Sequence, residues 1–434
     1  MANFKLTCLA AFLAAAMGLS AAGQPAPRQL SLAEVMTLVA DHNPGVLAGE
    51  EGVLGSEQYV RQARSALLPQ VSAQASQGRS RNMQDQGGDV LKPWLGNSFS
   101  AGFVANLSLI DARNIANYKA AKLEARAARY QQDAFVQDSC ARAAQLYFLF
   151  QRCQSSLSVV EKSIELDRVL LDRAEQRRAA NVATDLDVTR ARATLARDRQ
   201  RLLAAETQLN EARLALLSAT GLDLSLEIAV ASVPPPEPVS VAIPDWKSVL
   251  HGRPEYKAAG ELLERNRVAA RAASWQRFPS VAAQGSYGHV SRLVGDDDGG
   301  EAWGVSISMS MPLFDSGNID AQKKQALSLI RQQEHLIRQI EDNIHSSYDL
   351  AIDSLSKRWA ELPLAQENVH LAELELQYAR EQFEAGVSDN SDVIVAQVAL
   401  SSAGDSLVDA VYRYQLARID LARVLGEVQS RLSE

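Results

Sequence analysis

The residues of this 434-residue chain that could do chemistry are few and scattered. Its six histidines, His42, His251, His289, His335, His345 and His370, show no paired metal spacing and no His-Glu-x-x-His. There is no P-loop, no Gly-x-Gly-x-x-Gly after a strand pattern and no Gly-x-Ser-x-Gly, so the motifs of nucleotide-driven and hydrolytic chemistry are missing. The run Gly295 to Glu301 is acidic but lacks the alternation and the distal ligand of a calcium loop, and it reads as a solvated surface loop. Two acidic pairings remain, Thr184 with Asp187 and Asp389 with Asp392, each at the start of a long helical pattern. That spacing suits an N-cap and its third residue, where acids stabilise a helix start. If several copies met around an axis, Asp392 would instead form a ring of carboxylates that raise one another's pKa and attract cations. Capping is the better reading for Asp187, whereas both readings stay open for Asp392. No cofactor or metal site follows, and the chain does not read as an enzyme.

The elements that position these residues begin with composition. A formal net charge of -8 argues against a polybasic nucleic-acid binder. Aromatic residues make up only 6% and alanine is abundant, which favours closely packed helices over an all-β fold. Residues 1–22 carry Lys5, an apolar run from Leu6 to Leu19 and small residues after it, the pattern of a secretory signal peptide. That run is shorter than the roughly 20 residues a membrane helix needs, and no later uninterrupted apolar stretch is long enough. If the mature chain crosses a membrane, strands must do it. Cys140 and Cys153 fall in one helical segment, roughly 20 Å apart along its axis, and read as packing residues rather than a disulfide.

The second half of the chain restates the first. Asn43-Pro44 recurs as Arg253-Pro254, Leu68-Pro69 as Phe278-Pro279, and Leu109-Ile110-Asp111 as Leu313-Phe314-Asp315. Asp187 to Gly221 maps onto Asp392 to Gly426 without a gap. We divide the mature chain into a first repeat at 23–230, a Pro-rich linker at 231–245, a second repeat at 246–426 and a short tail at 427–434. Val188, Leu195, Leu202, Leu209 and Leu216 recur every heptad with alanines beside them, interrupted by Asp198, and Val393, Leu400, Leu407, Tyr414 and Leu421 repeat the pattern. Each is a coiled-coil seam that stops at a glycine, Gly221 or Gly426. The segments from Ala112 to about Arg178 and from Gly317 to about Glu384 read as very long helices, with a break expected at Pro363. Charged runs such as Arg173 to Arg178 and Arg197 to Arg201 read as solvated helix faces.

Between the helices the period changes to two. Phe99, Ala101, Phe103, Ala105, Leu107 and Leu109 alternate with small or polar residues, as do Trp303, Val305, Ile307, Met309, Met311 and Leu313. Shorter partner strands start at Val71 and Val281, and the polar stretches Gln77 to Asn97 and Gly288 to Glu301 read as exposed loops. Each repeat is then helix, strand, polar loop, strand, very long helix, tight turn, coiled-coil helix. Four strands cannot close a barrel, and lipid tolerates no open sheet edge. Three chains would supply twelve strands. The competing reading is a periplasmic coiled-coil scaffold or adaptor without its own pore, which has no use for apolar-faced strands.

The duplicated layout, the signal peptide, Met311-Pro312-Leu313-Phe314-Asp315-Ser316-Gly317 opening a long helix, and Ala385-Gly386-Val387 followed by Asp392-Val393 together resemble the TolC-like outer membrane efflux protein family. The resemblance spans essentially the whole mature chain. It implies a mainly α protein with a membrane β-barrel: a homotrimeric channel-tunnel whose twelve-stranded barrel sits in outer membrane lipid and continues as a twelve-helix α-barrel into the periplasm. It implies an exit duct for a tripartite efflux pump or for type I secretion, working with a periplasmic adaptor (membrane fusion) protein and an inner-membrane transporter of RND or ABC type, and with no cofactor. The family's tunnel entrance carries two aspartates one helical turn apart. Asp392 matches the first, Val395 stands at the second, and Ser388 stands where an arginine helps hold the entrance shut, so that closed-state network does not carry over intact. With Asp389 and Asp187 these are the candidate gating residues, and the turns holding Asn181, Val182, Gly386 and Val387 are the candidate adaptor contacts.

Overall fold

A computed structural model describes residues 28–85, 91–230, 244–388 and 390–432. The expected signal segment 1–22, nearly all of the Pro-rich segment 231–245, and Asp389 lie outside the described residues. The first repeat runs β1 (Arg28–Leu30), α1 (Leu32–His42), α2 (Pro44–Ser65), β2 (Gln70–Asp85), β3 (Leu91–Ile110), α3 (Ala112–Ala179) and α4 (Asp185–Thr220). After β4 (Ile228–Val230), the second runs α5 (Trp246–Gly252), α6 (Pro254–Trp275), β5 (Ser280–Ser291), β6 (Gly300–Ser310), α7 (Asn318–Glu384) and α8 (Asn390–Leu425), followed by α9 (Val428–Leu432).

Local chemistry explains where the helices start and stop. Pro44 and Pro254 occupy the first turns of α2 and α6, where a missing N–H costs nothing. Asp111 accepts hydrogen bonds from the Arg113 and Asn114 N–H groups, and Asp315 accepts them from Gly317 and Ile319, so the duplicated aspartate starts both long helices. At about 1.5 Å per residue, the 68 residues of α3 extend roughly 100 Å. α4 ends at Gly221, whose φ of 69° suits a residue without a Cβ.

The expected break at Pro363 does not occur, and α7 runs through it from Asn318 to Glu384. Proline removes one backbone hydrogen bond, but the neighbouring Leu362 is buried with Ala410 and Tyr414 of α8, and Trp359 packs against the same group. That packing holds the axis through the gap.

α3 and α7 are the two spines. Beside the sheet the lateral order is α2, α3, α6, α7, and toward the far end it is α4, α3, α8, α7. Both heptad seams are used: Val188, Ala191, Leu195, Ala205, Ala212 and Leu216 are buried in α4, as are Val393, Ala396, Ala403, Ala410 and Tyr414 in α8. Alanine at every second seam position allows close helix approach. α8 is by length and composition apolar enough to cross a membrane. Its buried Gln397, Ser401 and Gln415 and its packing on α3 and α7 mark it instead as a core helix.

The largest core cluster lies midway along the molecule, where Leu30, Val35, Val39, Tyr147, Phe148, Leu216, Leu217 and Ile419 pack together. Cys140 and Cys153 belong to it, both buried free thiols whose pKa values are pushed up by burial. β1 pairs in parallel with β4 at its margin.

The second sheet is antiparallel, in the order β2-β3-β5-β6. Its strands run well beyond the expected loop boundaries: β2 continues to Asp85, β3 already begins at Leu91, and β5 and β6 are separated only from Ser291 to Gly300. Pairing is continuous from Gln70 with Asn106 to Asp85 with Leu91. Ladder bonds come from the backbone, so polar side chains do not by themselves end a strand.

Register then sorts the side chains. Trp303 pairs with Tyr287, Tyr287 with Phe103, and Phe103 with Ala73, so three aromatic residues stand in one row across the sheet. The rows below it on the same face are Val305, Gly285, Ala105 and Val71, then Ile307, Ala283 and Leu107. The opposite face carries Ser306, Gln284, Asn106 and Gln70. Gly102 faces Gly288 directly, and a Cβ on either would lie 2.5 Å from an opposing backbone oxygen, so that crossing requires glycine.

Candidate functional site at the helical tip

The end of the helical body remote from the four-stranded sheet is made of two matching turns, one joining α3 to α4 and one joining α7 to α8. Each long helix ends in the same hydrogen-bonded motif. Val182 N–H donates to Arg177 O at 2.9 Å and Val387 N–H to Gln382 O at 3.0 Å, closing the 6→1 bond of a left-handed cap. The left-handed residues are Asn181 at φ 60° and Gly386 at φ 74°. The substitution of glycine by asparagine between repeats is therefore conservative in backbone terms, because asparagine is among the few side chains that tolerate this region. Val182 and Val387 follow as exposed apolar side chains at the extremity of both turns.

Asp187 forms a complete capping box with Thr184. The Asp187 N–H donates to Thr184 Oγ1 at 3.3 Å, and Thr184 N–H returns to Asp187 Oδ2 at 2.8 Å. Those bonds from Thr184, backbone first and hydroxyl second, hold the Asp187 carboxyl below the usual carboxylate range. Its contribution is present at neutral pH and is lost as the solution is acidified through that lowered value. Thr184→Ala is expected to destabilise the start of α4 by about 0.5–2 kcal/mol, read as a lower thermal midpoint and faster amide exchange in its first turn.

Asp392 is the third residue of α8 and is exposed, with Val395 one turn further on the same uncovered face. Ser388 is half-buried, and among the described residues its Oγ has no hydrogen-bond partner.

The two turns are tied together by residues that sequence reasoning missed. Asn390 is buried at the start of α8, and its Nδ2 donates to Asp187 O at 3.2 Å, bridging the repeats. Arg177 Nη1 donates to Phe383 O at 2.8 Å and its guanidinium stacks over the Phe383 ring 4.2 Å from the centroid. Arg173 pairs with Glu384 at 2.5 Å. The charged run from Arg173 to Arg178 is thus not only a solvated face, since two of its arginines fasten α3 to the end of α7. The same holds for Arg201, which reaches Asp405 of α8 at 2.8 Å. The sole sequence hint was the density of arginine at one helix end, where cations also favour the dipole.

Among the described residues no cluster of metal-ligating side chains occurs.

Comparison with known proteins places this geometry. The family model described as outer membrane efflux protein matches residues 35–222 and 247–427, leaving out the stretch between the repeats. The chain is 26% identical to outer membrane protein OprJ of Pseudomonas aeruginosa over 331 residues, covering 74% of this chain and 66% of OprJ. It is 24% identical to outer membrane protein TolC of Vibrio cholerae over 427 residues, 92% of each chain. The crystal structure of the Campylobacter jejuni CmeC outer membrane channel superposes with a TM-score of 0.83 at 17% identity, covering 92% of this chain and 86% of that one. The duplicated helix–strand–strand–helix layout, the sheet with one apolar face and the full-length family match together make this chain a member of the outer membrane efflux protein family, an outer membrane protein serving as an exit duct for efflux pumps.

Proposed function

We propose that three copies of this chain close one twelve-stranded barrel in the outer membrane, continued by twelve helices, α3, α4, α7 and α8 from each copy. The observation that carries this reading is the four-stranded sheet. Among the described residues its outer strands β2 and β6 have no neighbour on their far edges, and its aromatic and aliphatic face is open to solvent in the single chain, with Trp303 and Val305 each 77% exposed. Open edges and such a face need a partner sheet and an apolar surrounding. An aromatic row at one level of the sheet suits the lipid headgroup boundary.

In this assembly Asp392, Val395 and Ser388 line the entrance, and Asn181, Val182, Gly386 and Val387 present paired exposed turns to a periplasmic adaptor. The duct is passive. Energy comes from an inner-membrane transporter, and docking of the adaptor spreads the turns. Extraction with mild detergent and light-scattering mass determination test this, together with heat-modifiable migration on gels. A detergent-dependent particle with the protein mass of three chains is expected. A monomer released without detergent would instead favour a periplasmic scaffold.

A further inference from the structure

About three helical turns above the tip, α3, α4 and α8 meet at polar side chains sealed from solvent. Asp167 is 1% exposed, Gln397 3%, and Ser163 and Asp198 6% each. Ser163 Oγ donates to Asp198 Oδ2 at 2.5 Å. Gln397 Nε2 donates to Asp167 Oδ1 at 2.6 Å and to Ser163 O at 3.3 Å. Asp167 Oδ2 has no hydrogen-bond partner among the described residues. Asp198 is the residue that interrupts the α4 seam, so a position built for an apolar side chain holds one of two neighbouring acids.

A buried carboxylate oxygen without a donor is costly, and protonation lowers that cost by removing the buried charge. The charged neighbours do not supply an alternative. Arg197 and Arg201 of α4 are the cations facing Asp167, but Arg197 donates to Thr194 Oγ1 at 3.3 Å and Arg201 is engaged by Asp198, by Asp405 at 2.8 Å and by Ser401 at 3.2 Å. Gln397 is the neutral group facing it from α8. Arg173 of α3 and Arg380 and Glu384 of α7 lie toward the tip, with Arg173 and Glu384 paired to each other. Burial first, and the Asp198 charge second, push the Asp167 carboxyl up to about 6.

We propose that Asp167, Asp198, Ser163 and Gln397 form a proton-operated latch that holds α8, and with it the α7–α8 turn, against α3 and α4. With Asp167 protonated the contact is sealed. With Asp167 ionised two carboxylates share a dry site and the contact loosens. Because packing raises this pKa, the stabilisation is complete below the free value of 3.8 and is lost as pH rises through about 6. Acidification around the tip therefore fastens the turn and near-neutral pH frees it. The link from the latch to the entrance rests on the duct reading above, whereas the latch itself does not.

Amide-exchange protection of residues 393–403 in the full-length protein reads the latch directly. It is expected to be about tenfold greater at about pH 5 than at about pH 7.5, with a midpoint near 6. Asp167→Asn, neutral at both, is expected to lose that dependence. Asp198→Asn is expected to move the midpoint to lower pH, and it decides the matter if the first variant does not assemble. Equal protection at both pH values in the unmodified protein would overturn the latch, as would a dependence that survives Asp167→Asn or a midpoint unmoved by Asp198→Asn. A conducting trimer whose conductance ignores pH while exchange responds would overturn the coupling to the entrance. Failure to form a trimer would count against the duct alone.

Discussion

Replacing Ile307 with arginine is expected to remove the protein from the outer membrane fraction, whereas Ser306→Arg, one residue away, leaves it there. Ile307 lies in the row with Ala283 and Leu107, is 70% exposed in the single chain, and belongs to the face that carries Trp303, Tyr287 and Phe103. A cation on the lipid face of a barrel costs about 2–4 kcal/mol near the bilayer midplane, and in a trimer that cost is repeated three times. Ser306 stands on the opposite face with Gln284 and Asn106, where a cation meets water and would instead alter ion selectivity. Membrane fractionation and heat-modifiable migration of the two variants measure the difference. Equal retention of both would mean that this face does not contact lipid.

The second large effect is at the tip. Arg177→Ala deletes a charge-assisted hydrogen bond to the Phe383 carbonyl and a cation–π contact with the same residue, leaving the Arg173–Glu384 pair and the apolar packing of Leu170 with Leu376 and Phe383 to hold that part of α7 to α3. A hydrogen bond from a charged donor contributes about 1.5–3 kcal/mol and a cation–π contact about 0.5–2 kcal/mol. Partial exposure places the sum toward the lower ends, about 2 kcal/mol, or a roughly thirtyfold shift in the balance between fastened and freed turns. Single-channel recording is expected to show larger or more frequent openings in Arg177→Ala than in the unmodified protein, with Arg177→Lys intermediate because lysine keeps charge but loses the planar stack. Unchanged openings would remove Arg177 from the entrance.

What the sequence made legible follows from the physics of each element. The heptads from Val188 and Val393, the alternation around Phe103 and Trp303 and the aspartates that start α3 and α7 are local signals, and each element stands where its period placed it, except that β6 ends at Ser310 and leaves Met311 and Leu313 outside the strand. The outer halves of β2 and β3 carried no such signal, because alternation records a difference between two faces and the residues there do not alternate between apolar and polar. Pro363 gave a true local signal that packing at Leu362 overrides. β1 and β4 have three residues each, too few to show a period.

The candidate site divides in the same way. Thr184 and Asp187 were readable as a cap because both partners lie within one turn. Arg177 with Phe383 and Asp167 with Gln397 are separated by 206 and 230 residues, and only the folded arrangement of two repeats brings them together. Asp198 was visible as an interruption of the seam, yet nothing local revealed the second acid that faces it. Long-range polar contacts between helices leave no periodic trace, since one arginine or glutamine on a heptad looks like any solvated residue.

Closure of the sheet is the claim on which the account depends, and paired cysteines across its two free edges test it most directly. Ser306→Cys on β6 would be combined in turn with Ser72→Cys, Gln74→Cys and Ser76→Cys on β2, with Cys140 and Cys153 buried out of reach. A closing head-to-tail arrangement predicts that oxidised protein from outer membranes gives, for at least one pair, a covalent ladder that stops at three chains. Monomers throughout the series, or a ladder that continues beyond three, would contradict it.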